Sequence, residues 1–171
     1  MRLEIGGGTH PLSDFEQLDT EILWGTDPLP YKNDTITYIY TSHCLEHIPW
    51  WKTKEALQEC FRILKPDGIL EIWVPDFNII MDVALNKIHI TDEWWHLNPD
   101  KNTMCWVNGK IFRSPFCGEI EDNRMCHQAV FTEEYLKYCL ENCGFNNSQR
   151  IIKRTKGYNH GIIDLGIQTS K

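Results

Sequence analysis

Apolar positions along this chain follow two periods, and the places where one gives way to the other predict its elements. Arg2–Ile5 is a short apolar run interrupted by Glu4 and ended by Gly6-Gly7-Gly8, as expected of a strand entering a tight turn. Phe15–Asp19 reads as a short second strand ending on an acid, and Ile22–Gly25 as a third, very short one. Asp27–Asp34 carries two prolines and an Asn-Asp pair, which is turn chemistry. Thr35–Thr41 alternates β-branched and aromatic residues and reads as a strand.

From Lys52 to Leu64 the spacing of Ala56, Leu57, Cys60, Phe61 and Leu64 predicts a helix, stopped by Lys65-Pro66-Asp67-Gly68. Ile69–Val74 is apolar enough for a buried parallel strand. Glu133–Cys143 predicts a second helix, capped by Thr132, with Glu133 and Glu134 favouring its dipole and Gly144 ending it. Two β-like segments follow, near Ser148–Arg154 and Gly161–Thr169.

Strands alternating with helices predict an α/β fold, a Rossmann-like, doubly wound, mostly parallel sheet in a single domain over residues 1–171. His10–Pro30 is too short for the two crossover helices that would join the first three strands, each of which needs a dozen residues or more. The sheet is therefore expected to be trimmed on that side, the cofactor side, with short connections or one hairpin-like link. Residues 87–127 are long, irregular and aromatic-rich, with Trp94, Trp95, Trp106, Phe112 and Phe116. They read as an insert that serves as a lid or a partner surface, with a homodimer joined through it as one use.

A net charge of −7 disfavours broad nucleic-acid binding, which needs clustered cations. The local group Arg150, Lys153, Arg154 and Lys156 reads more simply as a solvated strand end. No apolar run approaches the roughly 20 residues that cross a bilayer, so no membrane partner is expected. Nothing resembles a signal peptide. The seven cysteines are odd in number and form no Cys-x-x-Cys pair, against both a disulfide framework and a zinc ribbon. Cys139 and Cys143 read as small buried thiols, and a cytoplasmic setting is expected.

The candidate chemistry lies along one edge of the expected sheet. Gly6-Gly7-Gly8 is either a tight loop or a cradle against which a ligand lies on the backbone. Asp19, at the end of the second strand, is either a turn residue or an acceptor for two adjacent ribose hydroxyls. Asp27 either caps a turn before Pro28 or belongs to the same site. Ser42-His43-Cys44-Leu45-Glu46-His47 follows the Thr35–Thr41 strand directly.

Leu3–Pro11, Pro28–Ile48, Glu55–Phe77 and His127–Phe145 together resemble a class I S-adenosylmethionine-dependent methyltransferase of the broad type-11 kind, within a small group having a Gly-Gly-Gly-Thr-His-Pro first loop. The resemblance spans most of the chain outside 87–126 and implies S-adenosyl-L-methionine as cofactor. It implies that Glu4, Gly6 and Gly8, with Gly7 between them, hold the methionine part, and that Asp19 receives the ribose hydroxyls. Asp27 lies near the acid that reaches the adenine amine, at a shorter spacing than usual. Thr41, Ser42 and His43 fall where cofactor backbone contacts and acceptor-facing groups sit. His10-Pro11 replaces a frequent third glycine, and the first helix is missing, which implies a more open adenosine end.

Methyl transfer needs an acceptor held about 3 Å from the methyl in a dry site, and a base only if the acceptor must lose a proton. His43 and His127 are the catalytic candidates, while His47 reads better as a packing residue. The resemblance implies a small polar or sugar-like acceptor, an aromatic lid could equally shield an aromatic small molecule, and no metal is assigned. Two rival readings remain. His43-Cys44-Leu45-Glu46-His47 spells the H-x-x-E-H zinc-peptidase pattern, which requires a helix through both histidines, and Pro49 stands against that. Alternatively, the trimmed fold is a scaffold without turnover, its tryptophans serving as interface anchors.

Overall fold

The computed structural model describes residues 1–8, 11–18, 27–90, 101–112, 126–154 and 159–171. Its centre is a six-stranded sheet made of β1 (Arg2–Ile5), β2 (Glu16–Leu18), β3 (Ile36–Ser42), β4 (Leu64–Pro75), β5 (Asn146–Ile151) and β6 (Asp164–Ser170). The spatial order is β2-β1-β3-β4-β6-β5. The first four strands are mutually parallel, and β6 runs antiparallel to both β4 and β5. This is the mostly parallel, Rossmann-like arrangement expected from the sequence. The predicted strand Ile22–Gly25 lies outside the described residues.

One face of the sheet is aliphatic because alternate strand residues point to it. Leu3, Ile5, Ile39, Leu70, Ile72, Val74, Leu165 and Ile167 form one cluster with α1 (Thr53–Ile63) and, after α2 and α3 below, α4 (Glu133–Glu141). Ala56, Leu57, Cys60 and Ile63 supply the buried stripe of α1. Thr132 caps α4 by accepting from Tyr135 N at 3.2 Å, and Gly144 ends it at φ +99°.

The opposite face carries Leu12, Phe15, Tyr40 and Trp73, together with the buried carboxylate of Glu71. Trp73 lies flat on Gly166, where a Cβ would come within 2.4 Å of the indole, and its other face stacks under the Arg154 guanidinium at 4.2 Å. Among the described residues no helix covers this face, and β1 reaches β2 through a turn. The expected trimming is present, with a parallel link rather than a hairpin.

The predicted irregular stretch contains regular structure. α2 (Phe77–Ala84), which begins before it, packs against α3 (Thr103–Ile111) around Ile80, Val83, Trp106 and Val107. Trp106 is thus spent inside the molecule, whereas Phe112 is exposed. Trp94, Trp95 and Phe116 lie outside the described residues.

Candidate active site

The carboxyl ends of β1 and β3 converge on the glycine loop. Gly6 (φ +77°) and Gly8 (φ +53°) adopt left-handed backbone that other residues resist. Gly6 N donates to Leu18 O at 3.2 Å, fastening the loop to β2. At Gly7 a Cβ would lie 2.4 Å from Gln17 Oε1 and 2.9 Å from Glu4 Oε2, so this position is packed solid from behind. At Gly8 a Cβ would meet nothing within 4 Å among the described residues. The loop therefore has a filled side and an open one, which is the shape a ligand approaching the backbone requires.

Glu4 is buried, and its Oε2 accepts from Leu12 N at 2.6 Å. Its carboxylate braces the chain beyond the loop. Beneath the loop, the Cys44 thiol lies 3.5 Å from Ile5 O and 3.6 Å from Gly6 O. Burial pushes this thiol up to about 12, so it stays neutral and serves as a tie, not a nucleophile. Thr41 stands in register with Ile5, and Ser42 Oγ accepts from Arg154 Nη1 at 2.6 Å.

Glu4, Gly6, Gly7, Gly8, Thr41 and Ser42 thus come together as the sequence suggested. Asp27 does not join them among the described contacts. It is exposed, and its segment is pinned to α1 instead: Leu29 N donates to Glu59 Oε2 at 2.8 Å, and Arg62 donates to Leu29 O and Tyr31 O. Asp19 lies outside the described residues, as does His10.

His43 departs from its expected role. It occupies left-handed backbone (φ +53°), and its N donates to Trp73 O. Its Nδ1 lies 3.2 Å from Glu46 Oε1 and its Nε2 2.9 Å from Asp164 Oδ1. Burial opposes the charged ring, but the two carboxylates outweigh it and hold the pKa above the usual histidine value. Both ring nitrogens of His43 are thus engaged by carboxylates, an arrangement that suits positioning better than taking up an acceptor's proton.

Asp164 also binds Arg154 Nη2 at 2.7 Å, and Arg154 is almost wholly enclosed. The solvated basic patch expected around Arg154 is therefore corrected: its guanidinium lies inside the molecule, and Arg150 pairs with Asp76 and Glu133. Sequence reasoning missed Asp164, Arg154 and His160 as site residues, because no local pattern marks them.

His160 leans against His43, with ring centroids 3.8 Å apart and planes tilted by 53°, and burial followed by the His43 charge lowers its pKa to about 4. Between pH 6.5 and 4 the unfolded chain binds this proton before the native one, so native stability falls as pH drops through that window. His43, with a raised pKa, acts in the opposite sense, losing its contribution only as pH rises above the ordinary histidine range. We expect the urea midpoint to drop between pH 7 and pH 5, and to drop less in His160→Asn. Identical drops in both proteins would show that His160 is not held neutral.

His127 sits on the other side of Glu46. Its Nδ1 donates to Lys110 O at 2.8 Å, and burial lowers its pKa, keeping the ring neutral with a lone pair on Nε2. His47 Nδ1 likewise donates to Cys126 O at 3.3 Å, and the two rings meet edge-on at 4.8 Å. The H-x-x-E-H peptidase reading fails here. Leu45–His47 is a single 3-10 turn, and His43 turns to Asp164 while His47 turns to His127.

These features belong to an α/β protein whose glycine loop lies at the carboxyl ends of parallel strands, where such folds bind ligands. Residues 2–150 match the family model described as a methyltransferase domain, and the chain belongs to that family. It is an S-adenosylmethionine-dependent methyltransferase domain. Its fold is similar to that of a SAM-dependent methyltransferase from Methanosarcina mazei (17% identity, TM-score 0.59, 99% of this chain and 91% of that one). It is also similar to a SAM-dependent methyltransferase from Archaeoglobus fulgidus (14%, TM-score 0.52, 99% and 85%). A third similar fold is a Thermotoga maritima SAM-dependent methyltransferase described as a possible histamine N-methyltransferase (16%, TM-score 0.51, 99% and 81%). No curated protein matches the chain. No helix among the described residues is long and apolar enough to cross a membrane.

Proposed function

We propose that the domain methylates a small polar, sugar-like acceptor, with the cofactor's methionine end on Gly6, Gly7 and Gly8 and its ribose on Asp19. The observation that carries this reading is the glycine loop, solid behind Gly7 and open in front of Gly8. Bound there, the cofactor supplies a methyl group whose bond electrons stay on sulfur when an acceptor lone pair displaces it.

The acceptor side is polar. Beyond β3 lie Glu46, His47 and His127, and the exposed indoles of Trp50 and Trp51 stand beside them in sequence, suited to stacking on a sugar ring. A homodimer through the insert would use Phe112 before Trp106, which is already packed. Cys44, Cys126, Cys139 and Cys143 are thiols, which supports a cytoplasmic setting.

Thermal unfolding with S-adenosylhomocysteine tests the reading. A ligand at 100 times its dissociation constant adds about 2.7 kcal/mol of stability. We expect a clear upward shift, followed by methyl transfer to a polyhydroxylated acceptor. No shift at millimolar ligand would leave the domain as a scaffold without turnover.

A further inference from the structure

Glu46 poses a question that methyl transfer alone does not answer. Its side chain is 1% exposed, yet Oε2 has no hydrogen-bond partner among the described residues, and Oε1 has only the His43 ring 3.2 Å away. An ionised carboxylate enclosed with an unsatisfied oxygen is costly unless something cationic meets it.

The two other histidines are set up in a particular way. A backbone carbonyl can only accept, so the bonds to Cys126 O and Lys110 O fix the proton on Nδ1 of His47 and His127. In the neutral ring that leaves the lone pair on Nε2. Metal-binding histidines are oriented by this same second bond, which sets both tautomer and ring direction. One ligand atom from each of Glu46, His47 and His127 lies within 4.8 Å of the others. Ligand bonds to a first-row ion are about 2.0–2.2 Å, so the three groups must draw closer together to share one ion. Lys110 O also belongs to the last turn of α3, whose carbonyl end favours positive charge.

We propose that Glu46, His47 and His127 form a binding site for a divalent first-row transition ion, held by one carboxylate and two imidazole Nε2 atoms. Three protein ligands leave coordination positions open, and these take an oxygen of the methyl acceptor. That acceptor role rests on the methyltransferase reading above, whereas ion binding does not. The second cluster, His43, His160 and Asp164, is the weaker candidate: Asp164 is already neutralised by Arg154 and the charged His43.

The full chain, freed of metal by chelator dialysis, is titrated with Co2+ alone and followed by its visible absorption, with Zn2+ competition giving the affinity. The expected result is one equivalent bound without a thiolate charge-transfer band. Affinity should fall at least tenfold in His47→Ala and in His127→Ala, and hold in His160→Asn. Thiolate bands, no binding, or loss confined to His160→Asn would overturn the site. S-adenosylhomocysteine shifts measured on the metal-free protein keep the two readings apart. A shift without Co2+ binding defeats the ion site alone, and Co2+ binding without a shift defeats the methyltransferase assignment of the pocket.

Discussion

Gly8→Ala should fold and fail to bind S-adenosylhomocysteine. The native φ of +53° costs an alanine about 1–2 kcal/mol, which a domain of this size survives. Among the described residues nothing lies within 4 Å of the new Cβ, so none of them adds a clash to that cost. The methyl instead fills the space in front of the loop that the cofactor needs. We expect the ligand-induced rise in melting temperature to vanish while the unliganded protein melts only a few degrees lower. If the rise survives, the cofactor sits elsewhere. Gly7→Ala is a poorer probe, because its Cβ would press on Gln17 and Glu4 and disturb the loop itself.

The largest loss of stability should follow Asp164→Ala. This carboxylate meets His43 Nε2 at 2.9 Å and Arg154 Nη2 at 2.7 Å, and it also accepts from His160 N at 3.0 Å. Removing it strands an enclosed guanidinium and an imidazolium together. Breaking one partner out of a buried pair costs about 3–5 kcal/mol, well above the return from a fully buried alanine. Urea unfolding at pH 7 reads the difference directly. The drop should shrink at pH 5.5 in a variant that also replaces His43 with glutamine, since one stranded charge is then gone. A loss below about 1 kcal/mol in the single variant would mean that water, not Asp164, neutralises Arg154.

Local sequence carried the early strands and two helices because their determinants are local. Arg2–Ile5 came out as expected, and the predicted Lys52–Leu64 helix is Thr53–Ile63. The Thr132 cap is in place. Local signals also existed for α2 and α3 and were missed: Asp76 caps Asn78 N, and Asn102 caps Met104 N. β4 starts at Leu64 and not at Ile69, because Asp67 and Gly68 bond to Lys171, far along the chain. β5 opens on Asn146-Asn147-Ser148, a polar run with little strand character, and owes its form to pairing with β6 at the sheet edge.

The candidate site divides in the same way. Gly6, Gly7 and Gly8 could be found from their spacing alone. The fate of His43 depended on Asp164, 121 positions distant, and no reading of Ser42–His47 could have shown that both ring nitrogens are taken. Glu46, His47 and His127 were each visible as chemistry. Their meeting was not, because His127 reaches the turn after β3 through Gln128 and Ala129, whose N–H groups both donate to Glu46 O.

The order β4-β6-β5 has a consequence for how the chain acquires its shape. A ribosome delivers β5 before β6, yet among the described strands β5 pairs only with β6. Until β6 emerges and slots in, β5 must wait while β4 presents an unpaired edge beside it, an invitation to a parallel mispairing. The last step of assembly is therefore an insertion, not an addition, and it brings Asp164 to Arg154 and His43 at the moment the sheet closes.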